Sequence, residues 1–336
     1  MTARRLGDSA LCVSVLSLGT MTFGEGTDER TAGRIIDIAR ERGITSIDTA
    51  DVNAGGESER ILGRHLRHDR GRWVLATKPG PIGGRAGATT GGYTRDRLTR
   101  ALRASLSRLA TDYVDLYVLD WDDLATPLEE TVAAIGGLLD RGLVRYWGLS
   151  NYRAWRMAET IRIADQLGVA RPIVAQPCYN AATRMAEVEY LPACAHFGLG
   201  VMTYSPLARG VLTGKYLPDA APPPSTRAGR GDRRILETEF RRESLVVALA
   251  IAAHAEGRGM SAAQFAVAWI LYDRRVTSVI AGPRTEAQWL EYLGALDQRL
   301  TRDDEALVDS LVPPGGASTP GYADPALPVI SRAPPS

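Results

Sequence analysis

Val114-Asp-Leu-Tyr-Val-Leu119 is followed by a short break at 120–127, a helical pattern over Leu128–Arg141, and then Val144-Arg-Tyr-Trp-Gly-Leu149. Two β-rich runs on either side of one amphipathic helix read as a parallel βαβ unit. Working outward, the same alternation fills nearly the whole chain. Upstream runs are Val15–Leu18, Ser46–Ala50 and Val74–Lys78; downstream ones are Ile173–Gln176, Gly200–Tyr204 and Val276–Ala281. Between them lie helical patterns at Arg30–Arg42, Ser58–Arg67, Thr94–Leu109, Ala154–Leu167, Val188–His196, Ala262–Tyr272 and Glu286–Leu296. Eight such units predict an α/β fold of the (β/α)8 TIM-barrel type. A doubly wound sheet would carry a glycine-rich GxGxxG turn after its first strand. Gly19-Thr-Met-Thr-Phe-Gly24 lacks that spacing. The expected organisation is one barrel domain over 1–312, with a short N-terminal extension and a long Pro/Gly/Arg-rich loop at about 213–234. Residues 313–336 are expected to form an extended or mobile Pro/Gly-rich tail.

With 45% hydrophobic and 24% charged residues, the 336-residue chain has the make-up of an ordinary globule. A formal charge of +1 gives no electrostatic reason to expect nucleic acid or an anionic membrane as partner. The apolar stretch Ala10–Leu18 is too short to span a bilayer and carries no signal-peptide cleavage pattern. Cys12, Cys178 and Cys194 form no CxxC pair, which predicts reduced thiols. These features predict a cytoplasmic protein; a small-molecule substrate and no metal are separate expectations, and a homo-oligomer stays open. Of 40 basic residues only Lys78 and Lys215 are lysines. A bias towards GC-rich codons accounts for the arginines but not for where the two lysines persist. A lysine is a compact ammonium that a forked guanidinium does not replace.

In a (β/α)8 barrel the carboxyl ends of the strands line the active-site mouth. Here those ends carry Asp48, Lys78, Asp120, Ser150-Asn151, Gln176 and Tyr204-Ser205. Six successive polar ends predict a functional site.

At these residues the chain resembles the aldo-keto reductases. Asp48-Thr-Ala-Asp-Val-Asn53-Ala-Gly-Gly-Glu-Ser58-Glu59-Arg-Ile-Leu-Gly63 resembles the family signature DTAxxYGxGxSExxLG, and Val74-Leu-Ala-Thr-Lys78 its catalytic-lysine strand. Ser105-Leu-Ser-Arg-Leu109 with Asp112-Tyr-Val-Asp-Leu-Tyr117, Gly148-Leu-Ser-Asn151 and Gln176-Pro-Cys-Tyr-Asn180 are similar to further landmarks. So are Tyr204 to Tyr216 and Gly282-Pro-Arg-Thr-Glu-Ala-Gln288; the likeness runs in order over about residues 10–300. It implies NADPH/NADP+ bound without a dinucleotide fold. The nicotinamide carboxamide would meet Ser150, Asn151 and Gln176, and its ring would stack on Tyr204. Lys215 would meet the pyrophosphate and Arg284 the 2′-phosphate; Arg227 would close over the former. Gln288 and Glu291 would bracket adenine, with Tyr292 standing where family members often have Asn. Thr20, Met21, Asp48, Ser205, Pro206, Leu207, Ala208, Arg209, Gly210, Gly282 and Pro283 complete the expected cofactor contacts. The likeness extends to the potassium-channel β-subunit type of the family.

Family chemistry uses a tyrosine as proton donor, a lysine–aspartate pair that tunes it, and a histidine that orients substrate. Asp48 and Lys78 stand at their positions, but Asn53 occupies the tyrosine position and Asp120 the histidine position. His65, His68, His196 and His254 fall in helical patterns and offer no replacement. Asn53 can donate a hydrogen bond but no proton at useful cost. Two carboxylates near one ammonium favour protonating one of them, which makes Asp120 the expected acid and Asp48 the partner of Lys78. Trp121, Trp147 and Trp155 are candidate pocket walls, and Asp122 and Asp123 are expected to be solvated loop charges. Three activities fit: reduction of a keto or enone group of a specialised sugar or natural-product intermediate; a lyase, dehydratase or isomerase on the same scaffold; and a non-catalytic NADP(H)-binding regulator. An acid in the histidine slot resembles the family's steroid 5β-reductases, which keep the tyrosine.

Overall fold

The computed structural model describes residues 2–80, 92–322 and 324. Short apolar runs buried on both faces form the barrel strands: β3 (Leu16–Gly19), β4 (Ser46–Asp48), β5 (Val74–Thr77), β6 (Val114–Leu119), β7 (Val144–Ser150), β8 (Val174–Gln176), β9 (Gly200–Thr203) and β10 (Ser278–Ala281). They pair in parallel and close in the order β10-β3-β4-β5-β6-β7-β8-β9. The helices around them are α1 (Glu29–Glu41), α2 (Glu57–Leu66), α3 (Arg95–Leu109), α4 (Leu128–Asp140), α5 (Ala154–Leu167) and α6 (Tyr190–Phe197). They continue with α7 (Arg233–Glu237), α8 (Arg242–Gly257), α9 (Ala262–Tyr272), α10 (Glu286–Gly294) and α11 (Arg302–Leu311). The predicted TIM barrel is therefore the observed fold, with strand ends within about two residues of those expected.

Register decides which side chains enter the barrel. Asp48 pairs with Ala76, Ala76 with Leu116, Val118 with Gly148, and Ser150 with Gln176. Parallel partners share a face, and side chains alternate along each strand. Ala76, Leu116, Val118, Val174, Met202 and Ile280 form the apolar interior, so this parity is the inward one. Asp48, Ser150 and Gln176 belong to it. Lys78, Asp120 and Tyr204 extend it by one step beyond their strands. A Cβ on Gly148 would stand 2.2 Å from Val174 Cγ1, so the valine fills room that the glycine leaves.

At the opposite end the barrel holds a serine layer and a plug. The Ser17 and Ser278 hydroxyls lie 2.8 Å apart, with Ser46 also bonded to Ser17. Below them β1 (Ala3–Arg5) and β2 (Cys12–Ser14) form an antiparallel hairpin. Its Leu6 and Val13 are fully buried and join the interior cluster. The hairpin was outside the predicted elements, as were α8 and α11; α8 is apolar round much of its circumference and gives no clear stripe.

The long loop and the described part of the tail are both held in place. The segment at 213–234 is ordered by local bonds: Tyr216 is buried with its hydroxyl accepting from Ala228 N at 3.3 Å, and Asp232 caps α7. The described part of the tail is docked rather than free. Thr183 pairs with Ala317, Ser318 N donates to Ala182 O at 2.9 Å, and Asp324 pairs with Arg234. Residues 325–336 lie outside the described residues. His68 sits in the turn after α2 rather than in a helix. Among the described residues no helix is long and apolar enough to cross a membrane, and the three cysteines are free.

Helix α11 is held by Asp304, which is fully buried. It accepts from Thr301 N at 2.7 Å, from Arg258 at 2.6 Å, and shares 2.7 Å with His254 Nε2. Burial alone would raise this carboxyl, but its hydrogen bonds from His254, Thr301 and Arg258 hold it at about 2. A carboxylate depressed on folding contributes stability that is present above its unfolded pKa and lost as pH falls through the folded one. The Asp304→Asn variant should be less stable than wild type near pH 7 by about 2 kcal/mol. That gap should shrink between about pH 4 and pH 2 in parallel thermal melts. A gap that stays constant over this window would refute the assignment.

Candidate active site

The floor of the mouth is a buried ion pair. Lys78 Nζ donates to Asp48 Oδ1 at 2.5 Å and to Thr49 O at 3.1 Å. The second Asp48 oxygen accepts from Gln176 Nε2 at 3.0 Å. A buried charge is tolerable only when paired and fully bonded, and this carboxylate is both. Helix α2 supports the pair from outside. Ser58 Oγ donates to Thr20 O at 2.8 Å, while buried Glu59 accepts from Thr77 Oγ1 and from Arg108 Nε, each at 2.6 Å. The signature's Ser-Glu pair thus anchors the strands that carry Asp48 and Lys78.

The chain then wraps over Lys78. Asp51 N donates to Lys78 O at 3.1 Å, and Asp51 Oδ1 accepts from Gly80 N at 2.6 Å. Burial raises the Asp51 carboxyl above its ordinary range. A Cβ on Gly80 would fall 1.9 Å from Val52 Cγ1, so only glycine allows this approach. Asn53 opens a tight turn whose next three residues are all left-handed: Ala54 (φ 48°), Gly55 (φ 59°) and Gly56 (φ 89°). Its side-chain amide is bonded to no described residue.

On the far side, Ser150 Oγ donates to Gln176 O at 3.1 Å. Asn151 Nδ2 donates to Ser150 Oγ at 3.0 Å and to Asp120 O at 2.8 Å. Tyr204 OH donates to Asn151 Oδ1 at 2.6 Å, which fixes its ring. Asn151 (φ 58°) and Ser205 (φ 57°) are left-handed, a conformation that costs non-glycine residues free energy and clusters at functional sites. Asp120 is buried beside Ser150 and Asn151. Its backbone N–H donates to Tyr93 OH at 2.8 Å, and that of Trp121 does so at 3.3 Å. Burial holds the Tyr93 hydroxyl well above the usual phenol range.

The rim is cationic. Loss of solvent and then the neighbouring Arg284 and Arg230 lower the pKa of Lys215; Glu291 opposes this. Loss of solvent followed by Arg230 and Arg227 lowers that of Arg284. Arg230 thus bears on both Lys215 and Arg284, and Arg227 on Arg284, although Asp232 pairs with Arg227 at 2.8 Å. Thr22 Oγ1 and Thr27 Oγ1 hold the Pro283 and Arg284 carbonyls at 2.9 and 3.1 Å. Gln288 Oε1 accepts from Arg284 N at 2.8 Å. Gly282 follows β10 next to Gly19. Thr20 is buried and bonded to Asp48 O at 3.2 Å, and Met21 beside it is exposed. Pro206, Leu207 and Ala208 are buried in the loop after β9, where Ala208, Arg209 and Gly210 are left-handed.

Several expectations change. The Arg209 guanidinium pairs with buried Glu239, so only its backbone is open to a ligand. Trp147 is fully buried between barrel and helices, donating to Ala170 O at 2.6 Å, and Trp155 lies exposed on α5. Only Trp121 stays near the mouth, packed on Tyr93. Asp122 and Asp123 are not solvated. Asp122 pairs with Arg153 and Arg156 at 3.1 and 2.8 Å, and Asp123 accepts from Tyr93 N at 2.6 Å. Carboxylates here satisfy a loop's backbone and arginines. Tyr93 and Arg230 carried no sequence signal, because no motif links them to the strand ends.

Residues 15–313 match the profile of the Aldo/keto reductase family. The chain is 37% identical over 302 residues to a "Probable voltage-gated potassium channel subunit beta" from Oryza sativa subsp. japonica, covering 88% of this chain and 92% of the relative. A protein of the same description from Arabidopsis thaliana matches at the same identity and coverage.

A cluster of cations that depress one another's pKa is relieved by an anion. Inorganic pyrophosphate at ten times its dissociation constant should stabilise the protein by about 1.4 kcal/mol. The thermal shift should be lost in Arg284→Ala with Lys215→Ala. An equal shift in the double variant would place the anion elsewhere.

Proposed function

Because the chain belongs to the aldo/keto reductase family, we propose that it is an NADPH-dependent reductase of a keto or enone group whose proton donor is Asp120 rather than a tyrosine. Membership supports an oxidoreductase of this type, and the family generally uses NAD(P)H. The observation that carries the reading is the self-repelling group of Lys215, Arg227, Arg230 and Arg284 beside the mouth. A nucleotide with an additional phosphate suits that surplus of charge. Lys215 and Arg284 would hold phosphates, with Arg227 and Arg230 closing on them and Gln288 and Glu291 near the base. Tyr204, pinned by Asn151, offers a fixed ring face, and Gln176 Oε1 is a free acceptor for a carboxamide N–H while its Nε2 serves Asp48. When bound, such a cofactor supplies hydride.

The chain's own residues then account for the proton and the orientation. Asp48 is committed through both oxygens to Lys78 and Gln176 and serves as their partner. Asn53 orients the substrate by its free amide. Asp120, inward-facing and 6% exposed, stands in the position of the family's histidine and is the carboxyl assigned to give the proton, and Tyr93 fixes the backbone that presents it. A second reading, a non-catalytic NADP(H)-binding regulator, draws on the likeness to proteins described as potassium-channel β-subunits.

NADPH should bind more tightly than NADH in a tryptophan-fluorescence titration, with Arg284→Ala removing the difference; equal affinities in wild type would reject the cofactor assignment. Simple aldehydes should be reduced poorly, since no tyrosine serves them. General acid catalysis typically contributes about 10²–10⁴-fold. Asp120→Asn should lower kcat by that order with NADPH affinity unchanged, and full activity in it would remove the acid role. Absence of turnover across ketone and enone panels, with NADPH bound, favours the regulatory reading.

A further inference from the structure

The Lys78 ammonium carries three N–H donors, and two are spent, on Asp48 Oδ1 at 2.5 Å and Thr49 O at 3.1 Å. The third meets no described residue, although the side chain is only 10% exposed and stands on the inward face of the barrel. A buried donor left without an acceptor is destabilising. Asp48 cannot relieve it, because its second oxygen is committed to Gln176. Asn53, at the turn that opens after the segment wrapped over Lys78, brings no phenolic oxygen to take the bond. We infer that Lys78 is itself the oxyanion donor of this enzyme: its third N–H bonds the substrate's carbonyl oxygen directly. This rests on the reductase reading and suits its keto and enone substrates, whose oxygen gains charge as hydride arrives. Lys78 gives no proton in this role: its N–H stabilises the alkoxide or enolate, and the proton comes from Asp120. Such preorganised donors are worth most where water is excluded.

The probe is 4-nitrophenol, whose oxygen stands in for the developing oxyanion and whose ionisation is read by visible absorbance. An opposite charge within about 4–6 Å shifts a pKa by about 1–3 units. Bound to the full-length protein, the probe should ionise about 1–3 units lower than free in solution. The shift should vanish in Asp48→Asn/Lys78→Met, a double variant chosen because Lys78→Met alone strands a buried carboxylate. It should vanish equally in Asn53→Tyr, where the added hydroxyl takes the third bond. Should the double variant not fold, Asn53→Tyr decides. A probe that binds neutral or not at all to wild type, or a shift that survives in a folded variant, overturns the inference. The readout needs no nucleotide, so a failed NADPH titration would reject the cofactor reading without touching it.

Discussion

Asp48 accepts from Lys78 with one oxygen and from Gln176 with the other, and that one carboxylate ties β4, β5 and β8 together at a single level of the barrel. From Gln176 the bonds run on through Ser150, Asn151 and Tyr204, so five strand ends share one network, which reaches β6 through the Asp120 carbonyl. Buried polar groups must be paired or they destabilise the fold. The network meets that demand almost everywhere and, among the described residues, leaves a few groups open: the third Lys78 donor, the Asn53 amide and Gln176 Oε1. Those open groups are where a ligand is worth most.

The fold supplies this arrangement through parity. A closed parallel barrel sends alternate residues inward, and one shared register brings strand ends far apart in sequence to one mouth. The interior below is filled by residues of complementary size, as Gly148 against Val174 shows, and is stopped at the bottom by Leu6 and Val13 of the hairpin. Local bonding outside the barrel then holds the mouth still. Glu59 joins α2 to β5 and α3, and Tyr93 gathers two backbone N–H groups from the loop that carries Asp120.

Charge separates the mouth into two regions. At the floor each charge has its counterpart, and Lys78 and Asp48 are matched. At the rim Lys215 and Arg284 are raised in energy by their neighbours, with Glu291 and Asp232 offsetting part of it. A neutralised floor suits the passage of a neutral carbonyl, and a cationic rim suits an anionic nucleotide. The two retained lysines of an arginine-rich chain stand one in each region.

By itself the sequence determined the barrel, because eight alternations of period-two and period-3.6 patterning leave few other ways to bury the same apolar faces. It also placed Asp48, Lys78, Asp120, Ser150, Asn151, Gln176 and Tyr204 at strand ends, because motif spacing tracks the length of each βα unit. Only the tertiary structure decided what each group bonds. It turned Arg209 to Glu239, buried Trp147 away from the mouth, drew Asp122 and Asp123 into the loop's own bonding, and set Tyr93 beside Asp120. Those outcomes depend on contacts between segments tens of residues apart, which compete for the same donors and acceptors. A local pattern carries no record of which partner wins.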